Sequence, residues 1–240
     1  RSSAASDVYK RQGERNLACR TREIFVGSGT RVEMVESCRL NERSSLISAS
    51  YARQQGDSVL HGVSVGLSAG LMRNEQTVLL EGRGAENHTN GLTIAGEQEH
   101  LDFATDIEHI ASDCTSYQLF KGLAADGGTS VFSGRIYVAQ DAQRTQAFQQ
   151  NNNLLLSDGA HVYAKPQLEI YADNVKCSHG ATVGQLDPEA IYYMRQRGIG
   201  LEDARRLQMY GFVLDVLGES RVQEMNELFD REIASKIEGL

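Results

Sequence analysis

Lys165-Pro-Gln-Leu-Glu-Ile-Tyr-Ala-Asp-Asn-Val-Lys-Cys-Ser-His-Gly-Ala-Thr-Val-Gly-Gln-Leu186 is the last stretch of the chain that alternates like a β-strand. Directly after it, Asp187-Pro188-Glu189 opens a helical pattern that continues to the C-terminus. The stretch also holds the one closely spaced Cys/His pair, Cys177 and His179. Residues i and i+2 of a strand share a face, so the thiol and the imidazole project together while Lys176 and Ser178 point the other way. Both groups suit iron or zinc, and this spacing sets their Cβ atoms roughly 7 Å apart. Two ligands make at most half of a coordination shell, so another strand, another chain or a substrate must supply the rest. Taken alone, such a pair is more often structural than functional, because Cys commonly fills cores. A Cys–His nucleophile would further need an orienting group and an oxyanion hole, and the sequence identifies neither.

Upstream, from about Glu23 to Leu186, short β-like runs recur at 31–36, 58–67, 77–80, 91–95, 101–110, 117–123, 130–138, 145–149, 154–156 and 167–175. Gly, Asn, Asp and Ser separate them, and their starts are usually about ten to nineteen residues apart, the spacing of a sandwich, barrel or solenoid. No long amphipathic helix interrupts the series, which disfavours alternating βαβ units. Turn signals are single Gly or polar clusters rather than hairpin Asn-Gly pairs, and there are only 2 prolines. The run Gln149-Gln-Asn-Asn-Asn153 reads as an amide cluster stacked at a solenoid corner. These features tilt the expectation toward a parallel β-solenoid, whose rungs bury a narrow core between neighbours. A β-sandwich stays open on pattern alone.

Beyond Leu186 the period becomes helical. Asp187 suits an N-cap and Pro188 the first helical position, and Gly198 supplies a stop. A second helix is expected from about Leu201 to Leu217, with Glu202 and Asp203 in its first turn, where the helix dipole favours negative charge. Its apolar stripe reads Ala204, Leu207, Tyr210 or Gly211, Leu214 and Leu217 at spacings of three and four. Gly218 ends it, and Ser220 caps a third helix with Val222, Met225, Phe229, Ile233 and Ile237 on one face. Helices this short need a surface to pack on, whether each other, the β region or a partner.

The 240-residue chain is long enough for a sizeable core, and its net charge of -8 argues against a nucleic-acid or anionic-membrane binder. The 4 cysteines, Cys19, Cys38, Cys114 and Cys177, lie far apart and read as cytosolic thiols. No Gly-Lys-Ser/Thr phosphate loop, HExxH, zinc-type CxxC or GxSxG occurs. Asn87-His88-Thr89 fits a glycosylation sequon by chance, and the cluster His100, Asp102, Asp106, Glu108 and His109 reads as a solvated strand edge. Residues 1–12 have neither periodicity and resemble a translated adaptor. The expected organisation is therefore this tail, a β core over 13–186 that is truncated at its start, and a helical domain over 187–240.

Several strings carry a family resemblance: Ser116-Tyr-Gln-Leu-Phe-Lys-Gly122, Val131-Phe-Ser-Gly-Arg-Ile136, Gln143-Arg-Thr-Gln-Ala147, Asn153-Leu-Leu-Leu-Ser157 and above all Lys165 to Asp187. With Tyr192-Tyr-Met-Arg-Gln-Arg-Gly-Ile199 and Ala204-Arg-Arg-Leu207, they resemble the SufB/SufD family of the SUF iron–sulfur cluster assembly system. The Lys-Cys-Ser-His-Gly-Ala-Thr-Val-Gly-Gln-Leu-Asp string is its SufD version. Asn174 departs from the family's usual Asp-Asp pair, leaving Asp173. The resemblance implies a right-handed parallel β-helix followed by a small α-helical domain, in a cytoplasmic, non-enzymatic scaffold that pairs with SufB through the β-helix. It implies that the C-terminal helices engage the ATPase SufC, which alone binds ATP; Leu207, Tyr210, Leu214 and Leu217 are the candidate contacts. It implies that His179, and more weakly Cys177, hold iron or a transient iron–sulfur cluster shared with SufB, with nothing bound permanently. The rival readings are a β-helical carbohydrate-active enzyme using acids such as Asp102 and Asp106, and a structural interaction module without a metal site. The absence of Trp weakens the first, since sugar platforms need exposed aromatics.

Overall fold

Stacking of inward side chains from one strand onto the next organises residues 17–184, and a computed structural model, which describes residues 15–218 and 223–240, winds them into a parallel solenoid. β1 (Leu17–Val26), β3 (Ser45–Gln54), β5 (Leu71–Leu80), β7 (His100–His109), β9 (Thr129–Val138) and β11 (His161–Ile170) form one sheet in that order. β2 (Arg31–Arg39), β4 (Val59–Ser68), β6 (Glu86–Ala95), β8 (Thr115–Ala124), β10 (Gln146–Leu155) and β12 (Lys176–Gly184) form the other. Each strand pairs in parallel with the next but one in sequence, which rules out the sandwich.

The turn that leads from the first sheet into the second carries the repeat. Gly29, Asp57, Gly84, Asp113 and Arg144 all have positive φ, and each lies two residues before the following strand begins. Their backbone N–H groups donate rung to rung, to the carbonyls of Gly56, Arg83, Ser112, Gln143 and Asn174. The Asp113 carboxylate accepts from both Arg83 Nε at 2.7 Å and Arg144 Nη2 at 2.6 Å, bracing three successive corners. These arginines hold its carboxyl well below the usual carboxylate range.

Apolar packing inside the solenoid has two centres, one around Val78, Leu80, Ile107 and Ile136, the other around Met72, Phe103, Phe120 and Phe132. Between them the interior is polar. Gln149, Asn151 and Asn153 are buried along β10, so the amide run sits mid-strand rather than at a corner. The reason is mutual hydrogen bonding: Asn153 Nδ2 donates to Asn151 Oδ1 at 2.7 Å, and Asn151 Nδ2 to the Phe120 carbonyl at 3.3 Å. The same run therefore joins the two segments read separately at 145–149 and 154–156.

β1 and β3 escaped the sequence reading because their inward faces mix polar residues with apolar ones. Arg20 and Arg22 share a face with Ile24, and both guanidinium groups bond Glu36 Oε2. Ser64 and Asn74 side chains donate to the other Glu36 oxygen. Burial opposes ionisation of Glu36, but Arg22, Asn74 and Arg20 outweigh it and lower its pKa. The run expected at 167–175 is likewise displaced: β11 ends at Ile170, and a corner precedes β12.

Three helices follow, α1 (Pro188–Gln196), α2 (Leu201–Gly218) and α3 (Gln223–Glu238). Asp187 caps α1, its Oδ1 accepting from Glu189 N at 2.9 Å, and Gly198 takes φ +86 beyond its end. The Ser220 cap and Val222 lie outside the described residues, as do residues 1–12 of the tail. α2 and α3 lie on the outer face of the second sheet, where Met209, Val213, Val216, Phe229, Ile233 and Ile237 cover Val63, Val65, Leu92 and Leu123. Lysine clasps pin this layer. Lys121 Nζ donates to Asp215 Oδ2 at 2.6 Å and to the Phe212 carbonyl at 2.7 Å, and Lys236 Nζ to Glu99 Oε2 at 2.6 Å.

Candidate functional site at the last rung

β12 closes its sheet, and its outer edge has no strand partner among the described residues. Register with β10 sets Cys177 beside Ala147 and His179 beside Gln149, both inward positions, so thiol and imidazole share the inward face of β12. Cys177 is half-buried against the apolar cluster that includes Ala147, whereas His179 is exposed. Burial pushes the Cys177 thiol up, only partly offset by the Ala147 backbone N–H. A protonated thiol must lose its proton before it ligates a metal. Among the described residues no group of three or more His, Cys, Asp or Glu side chains is gathered to hold a metal. The pair fits half of an iron or cluster shell and no more.

An open groove of about 610 Å³ runs beside His179, Ser178 and Gly180 on the outer face of the same sheet. Its floor is a ladder that sequence reading missed: His88 stacks on Tyr117 with centroids 5.1 Å apart, and Tyr117 on Phe148 at 5.3 Å. Those residues are one rung apart, and a signal at that separation is legible only once the rung length is known.

The second candidate surface is on the helices. Leu207 is 53% exposed and Leu214 43%, on the side of α2 facing away from the solenoid. The stripe expected to pack inward is therefore split: Ala204 is buried, Leu207 and Leu214 are not, and Met209, Val213 and Val216 form the buried face instead. α2 is apolar on both sides, so periodicity could not choose between them. Tyr210 is half-buried and its hydroxyl donates to Asp230 Oδ1 of α3 at 3.1 Å; the Leu217 side chain lies outside the described residues. Leu207 and Tyr210 line a groove of about 430 Å³ with Ala234 and Ile237 of α3.

The acidic cluster belongs to β7, a central strand rather than an edge. Asp102 pairs with Arg73, and Asp106 and Glu108 with Arg135. Asp102 and Asp106 are four residues apart on one strand, roughly 13 Å, beyond the separation of paired glycosidase carboxylates. His109 and Asn87 are fully buried, the latter beyond reach of glycosylation. All four cysteines are free, and no described helix is long and apolar enough to cross a membrane.

Comparison with known proteins agrees with the strings in the sequence. The family described as "SUF system FeS cluster assembly, SufBD core domain" matches residues 2–212. The iron–sulfur cluster assembly protein SufD of Escherichia coli is 39% identical over 173 residues, which is 72% of this chain and 41% of that protein. A SufBD family protein of Synechocystis is 35% identical over 82% of this chain and 44% of its own length. SufD of Bacillus subtilis is 30% identical over 78% of this chain and 44% of its own length. This chain thus spans about half the length of these curated relatives. A parallel solenoid whose last rung carries the Cys177–His179 string, matched by the core-domain family over most of its length, belongs to the SufB/SufD family of the SUF iron–sulfur cluster assembly system.

Proposed function

We propose that this chain acts as a cytoplasmic, non-enzymatic scaffold subunit that pairs with SufB and engages the ATPase SufC. The observation that carries the reading is the last rung: an edge strand presenting an exposed imidazole and a half-buried thiol on one face, with no group of three or more metal-ligating side chains gathered among the described residues. Such a half-site is completed by a second chain, and iron or a nascent cluster is then cargo held between the two. An unpaired strand edge is also a ready template for pairing with another chain. His179 is the principal ligand in this reading. Cys177 is secondary, because its thiol is partly packed away and its pKa raised. The exposed Leu207 and Leu214 of α2 offer the ATPase an apolar surface that the solenoid does not use.

Co-purification of the full-length protein with SufB and SufC, followed by iron and acid-labile sulfide analysis, tests the reading. His179→Ala is expected to leave the complex intact and to reduce its iron and sulfide at least tenfold. Undiminished iron and sulfide in that variant would remove His179 from the site.

A further inference from the structure

Parallel pairing stacks His179 of β12 on Gln149 of β10, and Gln149 on Gln118 of β8, as one inward column. Neighbouring strands are about 4.8 Å apart, so successive polar side chains of a column can reach one another. Gln149 is 2% exposed, yet neither Oε1 nor Nε2 has a hydrogen-bond partner. Gln118 is also buried; its Oε1 accepts from Thr105 Oγ1 at 2.7 Å, and its Nε2 is unpartnered. Buried amide atoms without partners carry a desolvation penalty that nothing offsets. Two and four residues further along β10, Asn151 and Asn153 are bonded, so on this strand the deficit falls at Gln149, beneath the imidazole. Across the core stands Gly134 of β9, where any Cβ would overlap Gln149 Nε2.

We propose that Gln149 is a positioning residue for His179: its Oε1, which has no partner in this structure, is one rung from both the Gln118 Nε2–H and the inward ring N–H of His179 and accepts both once the side chain turns toward them. A carbonyl oxygen has two lone pairs and serves both donors. Thr105 assigns the roles, because its hydroxyl occupies Gln118 Oε1 and leaves the Gln118 amide NH₂ as the donor of the column. An imidazole held by its inward N–H keeps the lone pair of its other nitrogen pointing outward, the form a metal takes. Cys177 shares the inward face with His179, and Lys176 is on the opposite face, so no charged side chain of β12 competes for that N–H. The inference rests on the reading of His179 as an iron-facing ligand.

Ring ¹⁵N chemical shifts of His179, measured on the full chain above the imidazole titration and without metal or partner, test it. The wild-type ring is expected in one tautomer by at least tenfold. Gln149→Leu should return the ratio to that of free histidine, and Gln149→Glu, which keeps an acceptor at the same place, should retain the wild-type tautomer. A wild-type ratio equal to free histidine overturns the proposal, as does a Gln149→Leu ratio equal to wild type. Should Gln149→Leu not fold, the wild-type ratio decides alone. Because neither iron nor SufB enters this measurement, its failure is distinct from the failure of His179→Ala to affect cluster assembly.

Discussion

His109 shows how far the environment of a single residue departs from what its type suggests. It is fully buried inside the solenoid, with Nε2 bonded to Ser116 Oγ at 2.8 Å and Nδ1 unpartnered. Burial lowers its pKa to about 4. Unfolded histidine binds a proton near pH 6.5, so below that value the unfolded state takes up a proton that the native state refuses. Stability from this group is complete above about pH 6.5, is lost as pH falls toward 4, and changes little further below. The shift corresponds to roughly 3 kcal/mol. Urea unfolding at pH 7 and pH 4.5 should therefore show a wild-type loss that His109→Gln reduces by about that order; an identical pH dependence in both proteins would contradict the assignment. Sequence reading placed His109 in a solvated acidic cluster because Asp102, Asp106 and Glu108 are its near neighbours in the chain, although alternation with Leu101, Phe103 and Ile107 puts the imidazole on the inward face of β7.

At the scale of elements, α2 is the instructive case. Its buried face docks on β6 and β8, which carry Leu92 and Leu123, and Lys121 anchors it through Asp215 and the Phe212 carbonyl. Deleting everything after Leu186 would expose that outer sheet surface, so loss of a partner on truncation would not by itself assign the contact. Substitution on the far side is cleaner. Leu207→Asp with Leu214→Asp removes exposed apolar surface and touches none of the packing residues, so it should shift the melting temperature little. It should weaken SufC capture by at least tenfold and leave SufB pairing unchanged, as read by pull-down with each partner separately. Retained SufC capture would move the ATPase surface elsewhere. Helix boundaries were legible beforehand, since Asp187, Pro188 and Gly198 act locally. The choice of face was not, because apolar residues line both sides of the helix.

For the whole molecule, stability is expected to be graded along the solenoid. Each rung contacts chiefly its neighbours, so central rungs are held from both sides and the terminal ones from one. Native-state hydrogen exchange should find the strongest protection in β6 to β9 and much weaker protection in β12, and pairing with SufB should raise protection in β12 selectively. Uniform protection in the isolated chain would contradict the nearest-neighbour picture. A soft last rung is consistent with a surface that becomes rigid when a second chain adds to it.

Local chemistry in the sequence determined the strand period, the helix caps, the absence of a phosphate loop and the common face of Cys177 and His179, because each depends on residues close together in the chain. Its strings also carried the family. Only the tertiary structure decided the rung register, since the left-handed corner at Gly29, Asp57, Gly84, Asp113 and Arg144 repeats a backbone conformation rather than a residue type. It alone showed that Arg20, Arg22 and Gln149 face inward, a polar core being invisible to a reading that equates inside with apolar. The column from His179 through Gln149 to Gln118 likewise exists only because rungs about thirty residues apart in sequence are stacked in register, each strand lying about 4.8 Å from the next.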